Sequence, residues 1–160
     1  MNTPATRAPF RVRRATPDDA STLAEFRFAF RARRRAVTEP QHDFVARATS
    51  WMYARLGPES HWRVWLLEHD GAAIGNIWLQ IIEKIPNPGA ESEAYGYISN
   101  FYVASEHRNQ GGGSRLLAAA LDECRRARVS AVFLWPSDES RPLYARNGFV
   151  VAEQMLLLDI

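Results

Sequence analysis

The chain has 160 residues, 46% of them hydrophobic, which supplies one buried core and leaves too little chain for several domains. Five Trp, five Tyr and eight Phe exclude a disordered chain, and the single cysteine, Cys124, excludes an intrachain disulfide and fits a reducing, cytoplasmic setting. The net charge of +2 argues against a nucleic-acid binder, and no stretch reaches the roughly 18–20 apolar residues of a membrane span.

The N-terminus lacks the apolar core of a signal peptide, and residues 1–8 are expected to be frayed, leaving one domain over 9–160. Phe10-Arg11-Val12-Arg13-Arg14-Ala15 alternates as an opening strand. Thr16-Pro17-Asp18-Asp19 then reads as a helix start, with a capping hydroxyl, proline in the first turn and acids at the positive end of the dipole. Leu23, Phe26 and Phe30 give that helix its apolar face. A second helix is predicted over 43–56, where Phe44, Ala48, Trp51 and Met52 recur at helical spacing before Gly57-Pro58. Strands follow at 62–67 and 72–82, joined through Asp70-Gly71, a strong hairpin signal. Pro86-Asn87-Pro88-Gly89 closes the second and leads into a third strand at 95–103.

A long amphipathic helix is predicted from Ser114 onward, and Cys124 falls with Leu117 and Leu121 on its apolar side, as a core residue and not a nucleophile. A short apolar strand, Ala131-Val132-Phe133-Leu134-Trp135, comes next. Strands flanking one helix run parallel through a right-handed crossover, whereas the hairpin-linked strands before it run antiparallel. The fold class is therefore α/β, a single domain with a mixed, mostly antiparallel central sheet and helices on both faces.

Between the third strand and the long helix stands Arg108-Asn109-Gln110-Gly111-Gly112-Gly113. The first amides of a helix have no intrahelical acceptor, and the dipole adds partial positive charge there. Glycines let an anion approach without meeting a Cβ, and Arg108 adds a cation. A Walker loop would need Gly-Lys-Ser/Thr at the helix start, but Ser114 follows Gly113 directly and Lys84 is the only lysine. A dinucleotide fingerprint would need glycine where Leu116 stands.

The spacing Arg-x-x-Gly-x-Gly, from Arg108 through Gly111 to Gly113, resembles the acyl-CoA signature of the GCN5-related N-acetyltransferases, the GNAT superfamily. A second segment resembles the same superfamily. It is Ser137-Asp138-Glu139-Ser140-Arg141-Pro142-Leu143-Tyr144, ending in Gly148-Phe149, and it is similar to the last helix and final-strand opening of a bacterial branch. The sharp match covers residues 95–150. Gly112 departs from a position that is commonly bulkier, so a looser loop is expected, and Ser137 stands where many members carry asparagine. Trp135-Pro136 is expected to narrow the cleft.

The resemblance implies that the strands at 95–103 and 131–135 splay apart into a cleft for acetyl-CoA as co-substrate, with no metal. It implies that pantetheine pairs with the strand edge at Phe101, Tyr102 and Val103. The pyrophosphate would rest on the amides of Gln110, Gly111, Gly112, Gly113 and Ser114, beside Arg108 and Asn109, with Ser137 as a further contact. The Val103 amide would donate to the thioester oxygen, and Tyr144 would protonate the departing thiolate. Glu83, Glu91 and Glu93 are candidate bases, with Glu83 at a strand end placed first and a water chain as the alternative.

The acceptor is expected to be an amine on a small molecule or peptide. Arg27, Arg31, Arg33, Arg34 and Arg35 crowd the first helix, either as a solvated helix end or as an attractor of an acidic partner. Trp51, Tyr53, Trp62, Trp65 and Trp78 lie at periodic positions and read mainly as core. Two rival readings are an acyl-CoA-binding module without catalysis and an RNA-binding protein using the basic helix. Relatives of the superfamily often pair, so a homodimer is compatible with the resemblance.

Overall fold

The computed structural model describes residues 9–89 and 91–160, so the frayed segment expected at 1–8 lies outside the described residues. In chain order the elements are β1 (Arg11–Arg14), a 3-10 turn (Pro17–Asp19), α1 (Ala20–Ala32), α2 (Gln41–Tyr53), β2 (Trp62–His69), β3 (Ala72–Glu83), β4 (Ala94–Val103), α3 (Gly112–Arg126), β5 (Ala131–Phe133) and α4 (Arg141–Arg146). The sheet order is β1-β2-β3-β4-β5. All pairs are antiparallel except β4 with β5, which run parallel around α3. The mixed sheet expected from the connections is therefore formed.

Alternation along β2 sorts its side chains onto two faces. Val64 and Leu66 face one way and join Leu23, Ala24, Ala48, Met52 and Trp78 under α1 and α2. Trp65 and Leu67 face the other way and join Ile77, Leu79, Ile98, Leu116, Leu117, Ala120 and Cys124 under α3. Helices thus cover both faces. Each fully buried leucine of these layers contributes roughly 1.5–3 kcal/mol of transfer free energy. Cys124 is buried as expected, and burial pushes its thiol up to about 11, which disfavours the thiolate. Trp65 and Trp78 are core residues, whereas Trp51 is 43% exposed and Tyr53 60%.

Local signals act where they were read. The predicted hairpin turns at Asp70 (φ 50) and Gly71 (φ 78), both left-handed as a two-residue turn of this kind requires. Thr16 donates its amide to Asp19 Oδ2 at 2.8 Å, closing the turn ahead of α1. Arg13 then binds both carboxylate oxygens of Asp19 at 2.8 Å and Glu68 at 2.6 Å, tying β1, β2 and the start of α1 together. That pairing holds the Asp19 carboxyl below the usual carboxylate range.

Some boundaries differ. α3 starts at Gly112 and not at Ser114, because the glycine turn itself supplies the first helical residues. β5 stops at Phe133, short of the expected Trp135. No strand forms after Phe149 among the described residues, against the expected final strand. Gly148 (φ 86) and the Phe149 amide, which donates to the Tyr144 carbonyl at 3.1 Å, close α4. Past that point a strand would find only three residues of β5 to pair with, and Val150 and Val151 stay more than 80% exposed.

The feature that shapes the cleft is a bulge in β4. Asn76 pairs with Tyr102 but Trp78 pairs with Ser99, so β4 spends one more residue than β3 between these pairs. Asn100 takes the left-handed conformation there, with φ 46, and the buried Asn76 Nδ2 donates to its carbonyl at 2.8 Å. Nearby, β3 approaches β4 so closely at Gly75 that a Cβ would lie 2.6 Å from the Tyr102 carbonyl oxygen. Replacing Gly75 by alanine should cost about 1–3 kcal/mol of stability by forcing these backbones apart; urea unfolding of the variant reads the loss, and an unchanged midpoint and slope would contradict this packing.

Candidate active site

β5 pairs with β4 only through Tyr95↔Ala131, Gly96↔Val132 and Tyr97↔Phe133. Beyond Tyr97 the strands part and β4 runs on alone to Val103. At the point of parting, Tyr97 and Phe133 stack at 5.2 Å, and Trp135 packs edge-on against both. Trp135 is turned outward, 56% exposed, and does not narrow the cleft as expected; Pro136 lines it instead.

The chain direction of β4 decides which backbone groups meet this opening. The Ala104 amide donates to Ile74 of β3 at 2.8 Å, and the Tyr102 carbonyl also points toward β3, at Gly75. Successive residues of a strand direct their backbone groups to opposite edges. Phe101 and Val103 therefore present theirs to the side that β5 has left. The Val103 carbonyl accepts a hydrogen bond from Arg108 Nε at 2.8 Å, in keeping with that orientation.

The resulting cleft has a volume of about 1080 Å³. Of the residues predicted from sequence, Phe101, Tyr102, Val103, Arg108, Asn109, Gly111, Gly113, Ser114 and Ser137 line it. Gln110 does not; its side chain turns back to donate to the Glu106 carbonyl at 2.9 Å. Gly112 does not either. It is buried against β2, where a Cβ would stand 2.5 Å from Leu67 Cδ2. Leu67 therefore fills the space that a larger residue at Gly112 would take, and the expected looseness of the loop is corrected to close packing.

The turn into α3 leaves several backbone amides without an intrahelical acceptor. Asn109 (φ 58) and Gly111 (φ 86) are left-handed, and the first α3 bond runs from the Arg115 amide to the Gly111 carbonyl. The amides of Gly112, Gly113 and Ser114 thus precede the first intrahelical donor, and no acidic residue stands in that turn. Around it the sequence reading missed Phe30, Arg33, Arg34 and Arg146, all of which line the cleft. The arginine cluster was legible as a charge run, but its reach across to the glycine turn depends on how α1 packs. Burial, with Arg33 adding repulsion, lowers the Arg108 pKa.

Tyr144 sits behind the lining residue Leu143. It is 7% exposed, edge-on to Phe101 at 6.2 Å and to Phe149 at 5.5 Å. Burial pushes its phenol up to about 12, with Arg34 pulling weakly the other way. Ser137 caps the turn before α4, its amide and hydroxyl engaged with Ser140 Oγ at 2.9 and 3.0 Å. Glu83 is exposed and pairs with Ala94, at the opposite end of the β3–β4 ladder from the cleft. No cluster of three or more His, Cys, Asp or Glu side chains that could hold a metal occurs among the described residues. No described helix is long and apolar enough to cross a membrane.

The structure is similar to solved acetyltransferases. The structure matches a GCN5-related N-acetyltransferase from Ralstonia eutropha with a TM-score of 0.76 at 26% identity, over 94% of this chain and 99% of that one. A predicted acetyltransferase from Clostridium acetobutylicum, solved with acetyl-CoA, matches with a TM-score of 0.78 at 22% identity, over 94% and 96% of the two chains. An aminoglycoside N-acetyltransferase in complex with CoA shares the fold at 17% identity and a TM-score of 0.68, with 99% of each chain covered. No curated protein matches the chain. The model of the acetyltransferase (GNAT) family matches residues 24–149, a span that holds both the bulged strand and the glycine turn, and the chain belongs to that family.

Proposed function

We propose that this chain transfers an acetyl group from acetyl-CoA to a primary amine of a small molecule or peptide by direct attack. The observation that carries this reading is the meeting in one cleft of two backbone surfaces left without a strand or helix partner, the Val103 carbonyl alone being taken up by Arg108. One is the β4 edge at Phe101 and Val103, freed by the early end of β5. The other is the start of α3, flanked by Arg33, Arg34, Arg108 and Arg146. Unpaired backbone groups beside a buried sheet are costly, and a ligand with amides at one end and phosphates at the other satisfies both surfaces.

In this reading the α3 amides with Arg108 bind the pyrophosphate, and the Val103 amide donates to the thioester oxygen as charge develops there. A donor of that kind is worth about 3–4 kcal/mol in rate. The amine nitrogen forms the new C–N bond, the C–S bond breaks, and Tyr144 gives its proton to the leaving thiolate. With its pKa raised to about 12, the phenol keeps that proton throughout the neutral range. Glu83 has no part in it. It pairs with Ala94, six residues of strand before Asn100, or about 20 Å at ~3.3 Å per residue. Proton transfer requires hydrogen-bond reach, so water in the open cleft carries the amine's proton away.

Three results follow. Tyr144→Phe should lower kcat for thiol release about 100-fold with little change in the acetyl-CoA KM; undiminished turnover in that variant would remove Tyr144 as the acid, and acetyl-CoA binding with no turnover in the native protein would favour an acyl-CoA-binding module. The native kcat profile should show no falling limb from the acid between pH 7 and 10, because loss of this proton belongs near 12. Gly111→Glu places a carboxylate at the anion cradle, where a Cβ meets nothing within 4 Å but φ is +86°. Acetyl-CoA affinity should drop at least about 100-fold with the far-ultraviolet spectrum retained, and normal binding would contradict the phosphate assignment.

A further inference from the structure

Arg27 is set apart from the other arginines of the first helix. Arg33 and Arg34 belong to the cleft beside the glycine turn, whereas Arg27 lies toward the bulge. α1 packs across β4 here, with Phe26 against Tyr102 at 5.3 Å, which brings the Arg27 guanidinium beside Asn100. Its side chain is half-buried, and its Nη1 reaches Asn100 Oδ1 at 3.5 Å, the outer limit of a hydrogen bond. No ion pair among the described residues includes it. The charged and titratable neighbours that face it are Arg31, which repels it, and the Tyr97 phenol.

A guanidinium removed from water without a counter-ion is expensive, and proteins ordinarily pair it or stack it. Arg14, although exposed, is stacked in that way, lying 4.8 Å over the Trp65 ring with Glu123 nearby. Arg27 lies over the Phe30 ring at the longer distance of 5.7 Å and meets a neutral amide, with no carboxylate partner among the described residues. Its position is chemically informative, because Asn100 is the bulge residue and directly precedes Phe101, whose backbone faces the cleft. The aromatic wall of Tyr97, Phe133 and Trp135 stands on the same stretch of sheet, where β5 parts from β4.

Given acetyl transfer as proposed above, we infer that the acceptor is an amine carrying a carboxylate, and that Arg27 receives that carboxylate while the amine is directed to the β4 edge. One guanidinium with no second paired cation matches a monoanion, and its planar fork can hold both carboxylate oxygens. Arg31, exposed one helical turn further on, adds attraction from solvent.

Thiol release from acetyl-CoA should be measured with the free amino acids and with their carboxamides, in the native enzyme and in Arg27→Gln and Arg27→Lys. At least one free amino acid should exceed its carboxamide by about tenfold or more in kcat/KM, mainly through KM. Arg27→Gln should bring that ratio to within twofold, and Arg27→Lys should restore part of it. Thermal unfolding of the variants separates lost recognition from lost fold. Turnover of carboxamides equal to that of the acids, discrimination that survives Arg27→Gln, or acetyl-CoA binding without turnover of any carboxylate-bearing amine would each overturn the inference and leave acetyl-CoA use intact. Failure to bind acetyl-CoA at all would remove the proposed function and this inference together.

Discussion

The bulge at Asn100 is the constraint on which the site depends. One additional residue in β4, held by the hydrogen bond from Asn76 Nδ2 to the Asn100 carbonyl, sets the phase of the strand beyond it. With that phase, Phe101 and Val103 direct their backbone toward the gap left by β5, and Tyr102 and Ala104 direct theirs toward β3. Shifting the phase by one residue would exchange these roles. Asn76 is 0% exposed, and its Oδ1 has no hydrogen-bond partner. A buried amide held on one side only is a cost that the fold carries where the cleft is shaped.

Two groups of arginines differ in what they meet. Arg13, Arg47, Arg125 and Arg126 are paired with carboxylates of the protein and brace its elements. Arg27, Arg33, Arg34 and Arg108 have no such partner among the described residues and cluster along the opening between α1, β4 and α3. A small net charge of +2 thus conceals a strongly uneven field. Of the arginines without a carboxylate partner, Arg33, Arg34 and Arg108 line the cleft beside the start of α3.

Much of this was legible in the sequence, and the rest was hidden for identifiable reasons. Asp70-Gly71, the strand alternation and the Arg108–Gly113 turn are local signals, readable because turn chemistry and anion cradles use few residues at fixed spacing. The bulge was not read, although asparagine at position 100 is a residue type that tolerates positive φ. It is a property of register between two strands, and one strand cannot reveal it. Glycine at 112, where a bulkier residue is common, suggests looseness, and its partner Leu67, far away in sequence on β2, is what closes the space. The final strand opening at Gly148-Phe149 is an expectation of the resemblance alone; pairing depends on a neighbouring edge, and β5 offers three residues. Arg33, Arg34 and Arg146 entered the cleft only once α1 and α4 had been packed across it.

The cleft's claim to an acyl-CoA is tested most directly by calorimetric titration of the intact protein with acetyl-CoA, CoA and ATP in parallel. Binding of both CoA species at micromolar affinity or better, with ATP much weaker, is the result this arrangement of strand edge and helix start predicts. Absence of CoA binding, or equal affinity for ATP, would mean that the freed β4 edge does not select pantetheine, and would contradict the account at its centre.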